Sequence, residues 1–202
     1  MSVMKKMFTL LLSLLTLFFS CKGDETVVPQ KLANSTLAVL RNGKNWPVAQ
    51  TKDEQVYALA IVYYNSLGSE LNFDINRTYG ANYTRIEHLL FNKLARKVGK
   101  LPLASLAKRL ANKELSSVIY TIGDDDQADA TYYAADDYES FIELTDYDEA
   151  KKQFKVKFDL KLIFNGNDDQ WKNAQRNKLV VDRVMTFKGE TICNDIYFNE
   201  RK

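Results

Sequence analysis

From Gln153 to Phe164 apolar and charged residues alternate. Phe154, Val156, Phe158, Leu160 and Leu162 fall on one side, and Lys155, Lys157, Asp159 and Lys161 on the other. A period of two sends successive side chains to opposite faces of an extended chain, so this stretch predicts a half-buried strand. Residues 70–76 repeat the pattern, with Leu71, Phe73 and Ile75 set against Asn72, Asp74 and Asn76. Gln55–Asn65 is dense in β-branched and aromatic residues, and Ser35–Arg41, 117–122, 130–133 and 139–145 are shorter extended pieces. Two last strands, 178–187 and 190–198, are predicted to meet at a Lys188-Gly189 turn. Turn chemistry separates these runs: Asn42-Gly43 signals a hairpin just before Trp46, 66–69 is a turn, and 123–129 and 146–152 are acidic loops. Residues 165–176 are expected to be a polar loop around Trp171.

One region breaks the period. Thr84 and Glu87 have capping-box spacing, Ile86, Leu90 and Leu94 lie four apart, Gly99 can close a helix and Pro102 follows it. Leu103, Leu106, Ala107 and Leu110 repeat the helical spacing. Pattern alone predicts two short helices in residues 84–115, while 85–94 also reads as a strand with a turn at Gly99. The expectation is an all-β protein, an antiparallel β-sandwich of about eight to ten strands with one or two short helices in 84–115.

The N-terminus follows another pattern. Lys5 and Lys6 precede an apolar run from Phe8 to Phe19 interrupted only by Thr9, Ser13 and Thr16. Charge followed by a short apolar core is a translocation signal, and the uncharged run falls short of the about 20 residues that span a bilayer. Phe18-Phe19-Ser20-Cys21 resembles a relaxed lipobox, with Phe19 where a small residue is usual. That resemblance implies lipid on Cys21, and two or three acyl chains anchor a protein stably. Residues 1–20 are then the signal, 21–34 a lipidated cysteine and polar tether, and 35–202 a single β-sandwich domain. Lys22 to Glu25 resembles the export tag of Bacteroidota surface lipoproteins, and a solvated linker has the same composition.

Composition narrows the chemistry. Removing Lys5 and Lys6 from the 28 basic residues leaves 26 against 26 acidic ones, so the mature chain is formally neutral and lacks the charge excess that nucleic-acid binding uses. Cys21 and Cys193 are the only cysteines, so no disulfide framework is expected, and Cys193 reads as a small buried residue. His88 is the only histidine and reads as a sheet residue; nucleophile, zinc and phosphate-loop motifs are absent. Asp124, Asp126 and Asp129 bring hard oxygen ligands into one loop and make a candidate Ca²⁺ site, which Asp136, Asp137 and Glu139 complete if the next loop folds back. A solvated hairpin loop is the default reading, since the EF-hand spacing is not met. Trp46, Tyr63, Tyr64, Tyr132, Tyr133 and Trp171 are candidates for a carbohydrate surface, against the alternative that they fill the core.

Asn42 to Trp46, Arg85-Ile86-Glu87, Gly99, Tyr120 with Asp124 to Asp126, Tyr133, and Phe141 to Asp148 leading into Phe154 occur in an order that resembles uncharacterised Bacteroidota lipoproteins with one small β-rich domain. In such relatives an Arg-Glu pair introduces a strand, and here Ile86 separates the two residues. A glycine completes the acidic turn where this chain has Gln127. The resemblance implies an all-β sandwich and a cell-envelope location and carries no activity with it; the expected location is the outer membrane, lipid-anchored, facing the cell surface if Lys22 to Glu25 is an export tag. The function expected is that of a non-enzymatic envelope lipoprotein, membrane-bound through Cys21, that binds a glycan or a protein. A hydrolase with an unrecognised carboxylate pair and a periplasmic accessory subunit are the alternatives.

Overall fold

The alternating stretches pair into strands in a computed structural model that describes residues 30–31, 35–46, 55–65, 68–79, 85–124, 127–176, 182–194 and 196–200. The strands are β1 (Gln30–Lys31), β2 (Ser35–Arg41), β3 (Lys44–Asn45), β4 (Gln55–Asn65), β5 (Gly68–Tyr79), β6 (Arg85–Leu94), β7 (Gly99–Pro102), β8 (Ser117–Asp124), β9 (Gln127–Ala134), β10 (Phe141–Asp148), β11 (Gln153–Phe164), β12 (Val184–Cys193) and β13 (Ile196–Glu200). Among the described residues two short helices interrupt them, α1 (Leu106–Ala111) and α2 (Asp168–Arg176). The protein is an all-β sandwich. Thirteen strands exceed the expected number because β1, β3 and β7, of two to four residues, are too short to leave a periodic trace.

Among the described residues all strands hydrogen-bond as one sheet: ten follow the order β1-β2-β12-β11-β9-β8-β6-β5-β4-β13, while β3 pairs with β2, β10 with β11 and β7 with β10. β11 joins the two layers. Along one edge it pairs with β12 throughout; along the other, residues 153–159 pair with β10 and residues 162–164 with β9. β4, β5, β6, β8 and β9 form one layer by antiparallel pairing, and β2, β12, β11 and β10 the other. β13 lies parallel to β4 at the outer edge. The inward rows meet as aromatic contacts: Phe73 on Phe154 with centroids 4.9 Å apart, Phe91 on Phe158 at 5.2 Å, and Tyr120 on Phe187 at 4.9 Å. Burying each such ring contributes about 1.5–3 kcal/mol. The five apolar residues of the β11 alternation are all buried, as their spacing predicts.

Of the two readings of residues 85–94 the strand is the one that forms, as β6: β5 and β8 flank the segment and each pairs with it along most of its length, so sheet pairing overrides the four-residue spacing. Glu87, Leu89 and Phe91 point inward. A register shift beside Lys93, whose φ is +58°, then turns Leu94 inward too, so the helical-looking Leu90 and Leu94 lie on opposite faces. The second predicted helix forms as α1. Gly189 is not a turn: β12 runs through it, paired with Val39 on one side and Phe158 on the other. A Cβ there would sit 2.3 Å from the Ala38 carbonyl oxygen, so a glycine lets two backbones approach. Finally, the expected loop 165–176 contains α2. Asn167 Oδ1 accepts from the Gln170 amide at 2.9 Å while Gln170 Oε1 accepts from the Asn167 amide at 2.9 Å, a reciprocal cap. Trp171 and Ala174, three apart, face the sandwich.

Candidate functional site

The Asn42-Gly43 pair folds as its sequence demands, with φ of +50° and +77°, a primed turn that closes β2 on β3. Trp46 follows and, at 3 % exposure, lies inside the sandwich rather than offering a platform. Its Nε1 donates to Glu87 Oε2 at 2.7 Å. Arg41 donates to the same oxygen at 3.0 Å and the Tyr120 hydroxyl at 3.1 Å, while Arg41 also donates to Tyr120 at 2.8 Å. Arg77 lies 3.5 Å from Glu87 Oε1, and the Tyr79 hydroxyl hydrogen-bonds the same carboxylate. Burial and the Glu87 charge push the Tyr120 hydroxyl well above its ordinary value and Tyr79 up to about 12. Burial alone would lower the Arg41 pKa, but Tyr120 and Glu87 outweigh it and raise it. With donors on both oxygens the carboxylate is saturated. It therefore ties β2, β5, β6 and β8 together rather than offering a base to a substrate.

The open site lies on the outer face. Ala104 and Ser105 bridge to Ser117 and Ala134, so α1 starts above β8 and β9. Leu106, Arg109 and Leu110, spaced i, i+3, i+4, form one stripe of α1, and Lys113 follows just past its end. That stripe borders a cleft of about 440 Å³ whose floor is Asn72, Asn92, Ser117 and Tyr133. No residue of α1 is buried, and Leu110 is 70 % exposed. Lys93 is neutralised between Glu70 at 3.7 Å and Glu114 at 3.2 Å, whereas Arg109 and Lys113 have no ion-pair partner among the described residues. Asn92 Nδ2 is buried and finds no acceptor. A smaller hollow of about 160 Å³ beside Tyr133 is walled by Leu106, Ala107, Ile163 and Asn165. The helical spacing was visible in the sequence; that the helix stands off the sheet was not, since spacing carries no information on how closely a face packs.

Most sequence candidates lie elsewhere. Cys21 and the signal, Lys22 to Glu25, and Asp126 lie outside the described residues, as do the side chains of Tyr63, Tyr64 and Asp124. Asp124 ends β8 opposite Gln127, and Asp129 is the extra residue where the β8–β9 register shifts. Among the described residues no three His, Cys, Asp or Glu side chains cluster as a metal site. Asp136 accepts from Ser105 Oγ, Asp137 pairs with Lys161 at 2.7 Å, and Glu139 lies 3.4 Å from Lys100, so each acid of the second loop has its own partner. The hydrogen bond to Lys161 holds the Asp137 carboxyl below its ordinary value. His88 sits on β6 with Nδ1 3.2 Å from Asp74 Oδ2. Tyr132 is buried and donates to the Asp182 carbonyl at 2.9 Å, and Trp171 stacks under Arg183 at 4.6 Å. Cys193 is a buried thiol whose Sγ donates to the Ala58 carbonyl at 3.8 Å. Of the aromatic candidates whose side chains are described, Tyr133 alone lines the cleft. Compared with known proteins, the chain matches no protein-family model, no curated protein and no solved structure.

Proposed function

We propose that this protein is a lipid-anchored component of the bacterial cell envelope, carried on the outer membrane through Cys21, that binds a glycan in the cleft under α1. The observation that carries the binding reading is an amphipathic helix held away from the sheet, its stripe facing amides and a tyrosine instead of a packed core. Asn72 and Asn92 supply amide groups that match sugar hydroxyls, Tyr133 an aromatic ring, and Leu110 an exposed apolar contact. The location rests on the basic start, apolar run and Ser20-Cys21 of the N-terminus, together with the resemblance to envelope lipoproteins.

The test is a binding panel of neutral and acidic glycans with the full-length chain, beside Tyr133→Ala and Asn92→Ala. Each substitution removes one contact and is expected to weaken glycan binding about tenfold, equivalent to about 1.4 kcal/mol, with the thermal midpoint nearly unchanged. Capture of proteins but no glycan, indifferent to both variants, would assign the cleft to a protein partner. Fractionating cells that make the Cys21→Ala chain checks the anchor, which predicts loss of the protein from the membrane fraction.

A further inference from the structure

Residues 93–113 hold seven Lys and Arg and no Asp or Glu, in a mature chain that is formally neutral as a whole. Acids from elsewhere neutralise part of this excess: Lys93 by Glu70 and Glu114, Arg96 by Glu149, and Lys100 by Glu139. Lys97, Lys108, Arg109 and Lys113 have no ion-pair partner among the described residues. Three exposed apolar side chains accompany them: Val98 at 63 %, Leu110 at 70 % and Leu115 at 38 %. The fold gathers the two halves of the segment. Glu114 pairs with Lys93, and Ser116 Oγ donates to the Lys93 carbonyl at 2.7 Å, so the chain leaving α1 is fastened to the end of β6, from which Lys97 and Val98 follow directly.

We propose that this surface docks on an anionic lipid bilayer. Unpaired cations around protruding apolar side chains match the interface of a membrane, where Lys and Arg meet headgroup phosphates and Val or Leu enters the acyl boundary. The chain itself keeps such a surface near. Eight residues lie between Cys21 and Gln30, the first paired among the described residues, opposite Leu37 in β2, and the nine extended steps span at most about 30 Å. Gly99, at the start of β7 in the basic segment, lies in the same row as Gln30, five strand spacings or about 24 Å away through Leu37, Thr191, Val156 and Leu144, so an anchored molecule holds its basic face within reach of the bilayer. Lys97 and Lys108 belong to this surface without lining the cleft, so its contribution can be removed separately from glycan binding.

The test is vesicle co-sedimentation of the mature chain, residues 21–202, carrying Cys21→Ala, which has neither the apolar signal run nor attached lipid. Vesicles are an equal mixture of phosphatidylglycerol and phosphatidylcholine, or phosphatidylcholine alone. The expected result is binding to the anionic vesicles only, weakened by salt. The Lys97→Ala/Lys108→Ala variant is expected to bind about 25-fold less, since each cation at a surface contributes about fivefold, and Lys97→Arg/Lys108→Arg to bind as the parent. Both positions are exposed, so the variants keep the fold. Equal binding to neutral vesicles, no binding to either, or no loss in the alanine variant overturns the proposal. Binding to soluble polyglutamate but not to vesicles overturns it in favour of an acidic protein. Displacement from vesicles by inorganic phosphate at matched ionic strength overturns it in favour of a free-anion site. Loss of glycan binding in Tyr133→Ala with vesicle binding intact, or the converse, separates this proposal from the cleft reading.

Discussion

Glu87 shows how a residue's role depends on partners that are far apart in the chain. By sequence it was the third position of a capping box begun by Thr84. In the fold it is 4 % exposed and collects Trp46 and Arg41 from over 40 residues upstream and Tyr120 from 33 residues downstream. Trp46, Glu87 and Tyr120 each belong to a motif of the family resemblance, yet nothing in their separate motifs says that they meet. A buried charge stripped of its partner is costly, and here removal of the carboxylate leaves Arg41 and Arg77 facing each other at low exposure. Glu87→Ala is expected to lose about 3–5 kcal/mol in urea unfolding, and Glu87→Gln less, because an amide still accepts from Trp46 and Tyr120. A loss below about 1 kcal/mol for Glu87→Ala would mean that solvent, not the protein, satisfies this cluster.

Among the elements, those legible from the sequence had continuous two-residue alternation or an Asn-Gly turn. β11 matches its predicted bounds, and the β2–β3 hairpin its predicted turn. Those misread or left open had a local signal that tertiary contact overruled or that composition concealed. β6 carries helical spacing because a bulge at Lys93 resets its faces, and α2 is hidden by its polarity although Asn167 and Gln170 cap it. Gly189 illustrates the same limit. Glycine beside lysine reads as a turn, whereas its actual use is the close approach of β12 to β2. A methyl group added there meets backbone, with the Val39 Cα at 2.6 Å, so relief requires the two strands to separate. Gly189→Ala is therefore expected to destabilise the protein by about 2 kcal/mol or more, read from the urea midpoint. A midpoint matching the parent would show that the β2 edge yields at little cost.

At the scale of the whole molecule, the period-two rows announced two faces and a shared core, and the structure closes them into one sheet folded over itself through β11. What no periodicity announces is that tyrosines with polar tips seal the same interior. Tyr120 and Tyr132 pack at a tilt with centroids 5.7 Å apart, and burial raises the hydroxyl of each, as it does that of Tyr79. A tyrosine whose pKa is higher in the folded than in the unfolded chain holds its proton more tightly when folded. The stability this contributes is complete below the unfolded value of 10 and is lost as pH rises through the folded value, about 12 for Tyr79. Two pH units on Tyr79 correspond to roughly 2–3 kcal/mol. The acidic side differs, because the carboxyls held low, Asp137, Asp148 and Asp168, sit in exposed ion pairs that couple weakly to folding. The thermal midpoint is therefore expected to fall steeply between pH 10 and 12, the interval set by Tyr79. Tyr79→Phe, which has no proton to lose, should lower the neutral midpoint slightly and flatten that fall. An unchanged slope in Tyr79→Phe would assign the alkaline loss to Tyr120 and Tyr132, whose hydroxyls burial also raises, instead of to Tyr79.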